Sequence, residues 1–139
     1  GPLASGSVGP TVRPLAARSA SRQTLRLRSR EAGRVDQELG GAELLVHVGV
    51  DTEERRIRRD SVRAGDVIDL SGSDPISLWP DLDGELWLHG RELEVLTADD
   101  PLPWGLLPLA REGGAFRVGE GRLRVADERS ELILRYEVS

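Results

Sequence analysis

The chain offers few residue types for covalent chemistry: it has two histidines and no cysteine, and no G-x-S-x-G or H-E-x-x-H pattern that would seat a nucleophile or a zinc ion. His47 and His89 each fall on the polar side of an alternating stretch and read as solvated strand histidines rather than a base or ligand pair. Asp81, Asp83 and Glu85 in PDLDGE put carboxylates at alternate positions, where they could converge on a hard cation. The segment lacks the length and the further acidic position of a complete calcium loop, so it reads as an acidic turn. No metal, cofactor or catalytic residue is expected, and the chain is read as a non-enzyme. Recognition is better supplied. Trp79, Trp87 and Trp104 stand out beside a single Tyr and a single Phe, and Arg55, Arg56, Arg58 and Arg59 flank Ile57 in one run. Indole faces can anchor a partner or stack on a sugar ring, and guanidinium groups present forked donors. These seven residues are the candidate partner contacts, with Trp87 the most telling because Leu86 and Leu88 must face the other way.

The elements that would position them are strands. Leu44, Val46, Val48 and Val50 alternate with Leu45 and His47, and Asp51 to Glu54 supply a polar reversal into the Arg run, which has the charge of an edge strand. Arg63 to Asp66 is turn chemistry, with Val67, Ile68 and Leu70 leaving it. Leu86 and Leu88, then Gly90, then Leu93 and Val95 predict a hairpin reversing at the glycine. Pro101, Pro103 and Pro108 around Trp104 predict a connection that crosses the end of the sheet. Gly113-Gly114, Gly119 to Gly121 and Asp127 to Ser130 punctuate a carboxy-terminal meander ending in Leu132, Leu134, Tyr136 and Val138. Thr24 to Arg28 alternates as a strand, and Glu31 to Leu39 is expected to form a helical turn or two before Gly40-Gly41. The whole predicts an all-β fold, a small β-sandwich or partly open β-barrel of about eight to ten short strands with a flexible amino-terminal arm.

At 139 residues the chain fits one domain. Residues 1–22 are expected to be a tag remnant followed by a flexible Arg-rich arm, and 23–139 a single all-β domain. All nineteen basic residues are Arg, which reads as coding bias more than as selection for bidentate contacts. They are unevenly placed: Thr11 to Arg34 holds seven Arg against Glu31 alone, net +6, while the remainder carries net −11. The arm lacks interleaved aromatics or a recognisable reader module, so nucleic acid is not the expected partner. No apolar run approaches the roughly 20 residues that span a bilayer, and without cysteine the compartment stays open, with either face of a bacterial membrane complex possible.

The order of Leu44 to Val50, then Val62-Arg63-Ala64-Gly65-Asp66-Val67-Ile68-Asp69-Leu70, then Ile76-Ser77-Leu78 and Gly84 to Val95 resembles the surface-presentation-of-antigens domain of flagellar switch and type III secretion ring proteins. That resemblance implies a non-catalytic assembly module of a secretion or motility apparatus, working through a protein partner or as a homo-oligomer. Arg55 and Arg59, with Asp69 and Ser71, also resemble the R-x-x-x-R and D-x-S-x-x-G motifs of the PilZ domain, but Asp74 occupies the glycine position and would repel a phosphate. The alternative function is a ligand-binding β-sandwich for a carbohydrate or a nucleotide.

Overall fold

A computed structural model of the chain describes residues 22–35 and 41–139, so the expected mobility of the amino-terminal arm falls almost wholly outside the described residues. In chain order the strands are β1 (Gln23–Arg34), β2 (Ala42–Val50), β3 (Glu53–Val62), β4 (Val67–Asp69), β5 (Ile76–Leu78) and β6 (Glu85–Glu92). They continue as β7 (Asp100–Pro101), β8 (Gly105–Pro108), β9 (Arg111–Glu112), β10 (Ala115–Phe116), β11 (Gly119–Ala126) and β12 (Glu131–Val138). The fold is an all-β sandwich of two sheets and no closed barrel. The first sheet runs β11-β12-β1 and then β4, with β5 also paired to β1; the second runs β3-β2-β6 and then β7, with β8 also paired to β6. A small β9-β10 hairpin stands apart.

Alternation builds the interior. Leu44, Val46 and Val48 are fully buried along β2, as are Leu132 and Leu134 on β12, and Leu25 and Leu78 complete the same layer from β1 and β5. Each such side chain contributes about 1.5–3 kcal/mol on leaving water. The two sheets meet edge over edge: a Cβ on Gly105 of β8 would lie 2.5 Å from Cγ1 of Val125 on β11. At the opposite edge Arg55 of β3 donates to the carbonyls of Asp74 and Pro75, in the loop between β4 and β5.

Three expectations give way. The helix from Glu31 does not form: β1 runs on to Arg34, paired with β12 as far as Arg34↔Glu131, so its backbone groups are already satisfied by the sheet. Residues 36–39 of that expected helix lie outside the described residues. The hairpin at Gly90 does not form either, because β6 passes straight through it, with Gly90 opposite Val46 in mid-sheet. A Cβ there would sit 2.4 Å from the Leu45 carbonyl oxygen, so this glycine answers to close backbone approach and not to a turn. Val95, expected on the hairpin's apolar face, is 94 % exposed. Finally, Asp99 to Pro108 is no crossing over the sheet end. It supplies β7 and β8, both laid along β6, where their prolines sit on an edge that needs no donor on its outer side.

One irregularity matters later. β1 carries a bulge between Leu27 and Ser29, and beyond it the phase of the strand is inverted. Leu25 and Leu27 point into the sandwich before the bulge, and Arg30 and Ala32 point into it afterwards.

Candidate functional site

The outward face of the β3-β2-β6-β8 sheet gathers most of the candidate residues. His47 of β2 is directly opposite His89 of β6, and Trp87 of β6 is opposite Leu106 of β8. The rings form one stack: the His47 and His89 centroids are 4.8 Å apart at an interplanar angle of 18°, and Trp87 and His89 are 5.3 Å apart at 13°. Trp87 is held from below. Its Nε1 donates to the Asp51 carbonyl at 2.8 Å, and its ring lies over Gly49, where a Cβ would come within 2.3 Å of Cζ2. Asp51 itself adopts φ 52° at the β2-β3 reversal, and its carboxylate accepts the backbone N–H groups of Gly84 and Glu85, which fixes the start of β6. Leu106 is 48 % exposed, and Trp104, immediately before β8, is 72 % exposed.

Charge frames this stack. Nδ1 of His47 lies 3.3 Å from Oε1 of Glu54. His47, with Arg56 beyond it, holds the Glu54 carboxyl below the ordinary carboxylate range. Arg56 lies 3.6 Å from the same carboxylate, Arg58 is paired with Glu43, and Arg91 lies 3.3 Å from Asp99. An aromatic and apolar strip rimmed by paired charges suits partner docking: the rings can be desolvated at little cost while the rim keeps contact with water.

The seven candidate residues therefore separate. Trp87 belongs to this face, and Trp104 directly precedes its β8 strand. Trp79 follows β5 on the other sheet, half-buried, with the Arg22 guanidinium 6.0 Å from its ring centroid. Arg55 turns under the edge to hold the β4-β5 loop. Arg56, Arg58 and Arg59 line an edge groove of about 380 Å3 together with Asp69, Leu70 and Ser73. In that groove Asp69 accepts from both the N–H and the hydroxyl of Ser71, bonds that keep its carboxyl below the usual range. The pairing of the two histidines was not foreseen, since the register between β2 and β6 that joins them leaves no local mark on either strand. Leu106 was also missed, because the prolines around it hid β8.

Two acidic groups come close enough together to be candidate cradles for a hard cation. Asp51, Asp83 and Glu85 bring ligand atoms within 4.8 Å of one another, but both Asp51 oxygens already accept backbone N–H groups. That leaves Asp83 and Glu85, far short of the about six to eight oxygens calcium takes. Glu92, Glu94 and Asp100 also approach within 4.8 Å, and Glu92 and Glu94 each have another partner in the protein. Neither group fits a calcium cradle.

No family model matches the sequence, and no curated protein matches it. Solved structures do match in fold. A structure described as that of a C2 domain aligns at TM-score 0.54 with 14% identity, covering 85% of this chain and 97% of that one. A C2 domain of a plant extended synaptotagmin 1 aligns at 0.53 with 9% identity, covering 84% and 92%. Human GIVD cytosolic phospholipase A2, solved with methyl gamma-linolenyl fluorophosphonate and terbium chloride, aligns at 0.54 with 13% identity; 85% of this chain matches 17% of that one. These neighbours overturn the resemblance to the surface-presentation-of-antigens domain. The residues that carried it sit differently: Val67 to Asp69 is a three-residue edge strand, and Gly84 to Val95 is a through-going strand and a loop. The secretion or motility role that rested on it loses its support. What the comparison establishes is the architecture: the chain has the fold of a C2-like β-sandwich.

Proposed function

We propose that this domain is a non-catalytic recognition module that docks a partner protein on the outward face of the β3-β2-β6-β8 sheet. The observation that carries this reading is the continuous ring stack of His47, His89 and Trp87, continued by Leu106 and flanked in sequence by the 72 % exposed Trp104. Such a strip matches a partner surface with apolar anchors at its centre and charged groups at its rim, facing the ion pairs of Arg56, Arg58 and Arg91. The non-enzymatic part of the reading rests on a sequence without a local nucleophile and base arrangement. Sedimentation equilibrium from micromolar to millimolar concentration reads self-association, and affinity isolation on the immobilised domain reads a heterologous partner. Trp104→Glu is expected to weaken whichever association occurs by about tenfold or more, with the melting midpoint unchanged because the side chain is exposed. A monomer that retains the same proteins as the Trp104→Glu variant refutes the assignment.

A second reading, docking on a lipid surface, is favoured by one observation: Val95 and Leu96, adjacent in the loop between β6 and β7, are both 94 % exposed. Two neighbouring apolar side chains at a loop tip can insert at the interface of a bilayer. Co-sedimentation with phosphatidylcholine vesicles that is lost in Val95→Asp/Leu96→Asp and kept in Trp104→Glu would select it.

A further inference from the structure

Arg30 is fully buried, and none of its three guanidinium nitrogens has a hydrogen-bond partner. The bulge at Arg28 puts it there: the phase inversion turns Arg30 inward, in register with Leu134 and Ile68 of its own sheet. Arginine cannot shed its proton to escape the desolvation cost, so a buried guanidinium asks for an anion. A second cation makes the need larger. Burial above all, and then the charge of Arg59 on β3, draws the Arg30 pKa down to about 10, and Arg30 lies in register with Ile68 of β4, next to Asp69 and Leu70 of the groove. No hydrogen bond or ion pair to Arg59 is found among the described residues, whereas Arg56 and Arg58, its neighbours in the groove, are paired with Glu54 and Glu43.

We infer that the seam between β3 and β4 is a binding site for a phosphate-type dianion, held between Arg59 at the mouth of the groove and Arg30 behind it. The charge count selects the class: two unpaired cations match one dianion, and both carry the planar fork that receives phosphate oxygens two at a time. Arg55 pins the Asp74 and Pro75 carbonyls across the seam at one end, while at the level of Arg59 the wall is only Leu70, Ser73 and the three-residue strand β4. Asp69 also lines the groove, but its carboxylate is turned onto Ser71. The site lies at the β3 edge, and Arg56 and Arg58 of its lining are shared with the rim of the docking face.

The test is the melting midpoint of the whole chain against inorganic phosphate at constant ionic strength, with chloride as the replaced anion. Phosphate is expected to raise the midpoint saturably, as a ligand of the folded state must. Arg59→Gln, an exposed substitution that leaves the core intact, is expected to weaken apparent phosphate affinity at least tenfold, and Arg59→Lys to weaken it less, since the charge survives but the fork does not. Arg30→Met is expected to raise the midpoint without phosphate, by removing an unpaired buried charge, and to erase the phosphate increment. Vesicles of phosphatidylcholine with and without phosphatidic acid separate the sources. Binding that needs phosphatidic acid, is lost in Arg59→Gln and is competed by free phosphate identifies a lipid headgroup, whereas a response to free phosphate alone identifies a soluble phosphate ester. A midpoint indifferent to phosphate at concentrations on the order of tens of millimolar, or a response that survives intact in Arg59→Gln, overturns the inference.

Discussion

Leu88→Asp abolishes the cooperative thermal transition. Leu88 is 1 % exposed on β6, opposite Val48 on one side and Gly105 on the other, so its neighbours across the sheet are apolar or backbone. A carboxylate at that position has no donor to meet and displaces a well-packed side chain. The combined loss of apolar burial and charge desolvation exceeds about 4 kcal/mol, a large part of the roughly 5–15 kcal/mol that holds a domain of this size together. Calorimetry or far-ultraviolet circular dichroism during heating reads the result. A midpoint displaced by less than about 1 kcal/mol would instead put Leu88 in water and the register of β6 one residue out.

Gly90→Val comes next in size. Strands ordinarily welcome valine, and on propensity alone the change should stabilise β6. At this position the new Cβ lies 2.4 Å from the Leu45 carbonyl oxygen and 3.1 Å from the Val46 Cα, both of them backbone atoms of the central partner strand, and 3.2 Å from Cδ1 of Leu102. A backbone carbonyl in a paired strand cannot step aside without breaking the β2-β6 ladder, so a loss of about 3 kcal/mol is expected, at the upper end of overpacking costs. Denaturant unfolding measures it. If Gly90 were the turn of a hairpin, the same substitution would act through turn strain and leave β2 untouched, so amide exchange in Val46 to Val48 distinguishes the two geometries: exchange there accelerates only if the ladder is disturbed.

What could be read in advance follows from how much of each element is local. The alternation of Leu44 to Val50 and of Leu132 to Val138 is carried by the residues themselves, and both strands stand where the pattern puts them, apolar side inward. The turns at Arg63 to Asp66 and Gly113-Gly114 also carry their own chemistry: Gly65 takes φ 91°, and the Asp66 carboxylate accepts the Arg63 N–H. Gly90 shows where this runs out, because a glycine required by a neighbouring strand looks the same in sequence as one required by a turn. The sites were harder still. His47 meets His89 only through a register set by the whole of β2 and β6, and Arg30 is inward only because one residue is looped out of β1, a feature that the strict alternation of Thr24 to Arg28 conceals. Trp87 was legible as the residue facing away from Leu86 and Leu88, but the floor beneath it, Gly49 and the Asp51 carbonyl, arrives from another strand.

The pairing of β1 with β12 has a consequence in time. Thr24 and Ser139, 115 positions apart in sequence, exchange backbone N–H groups and carbonyls with each other, and the ladder between their strands continues to Arg34 and Glu131. The centre of one sheet is thus assembled from the two most distant parts of the described chain, and β4 and β5 have no partner in that sheet until β1 is in place. Loop closure of that length is paid for before any of its contacts form, whereas the β2-β3 and β11-β12 hairpins close locally. Refolding should accordingly be slow, on the order of milliseconds to seconds, with the hairpins gaining protection early and the β1-β12 seam last. Until that seam shuts, both open strands expose bare edges, and it is then, rather than in the finished sandwich, that the chain is most vulnerable to pairing with a second copy of itself.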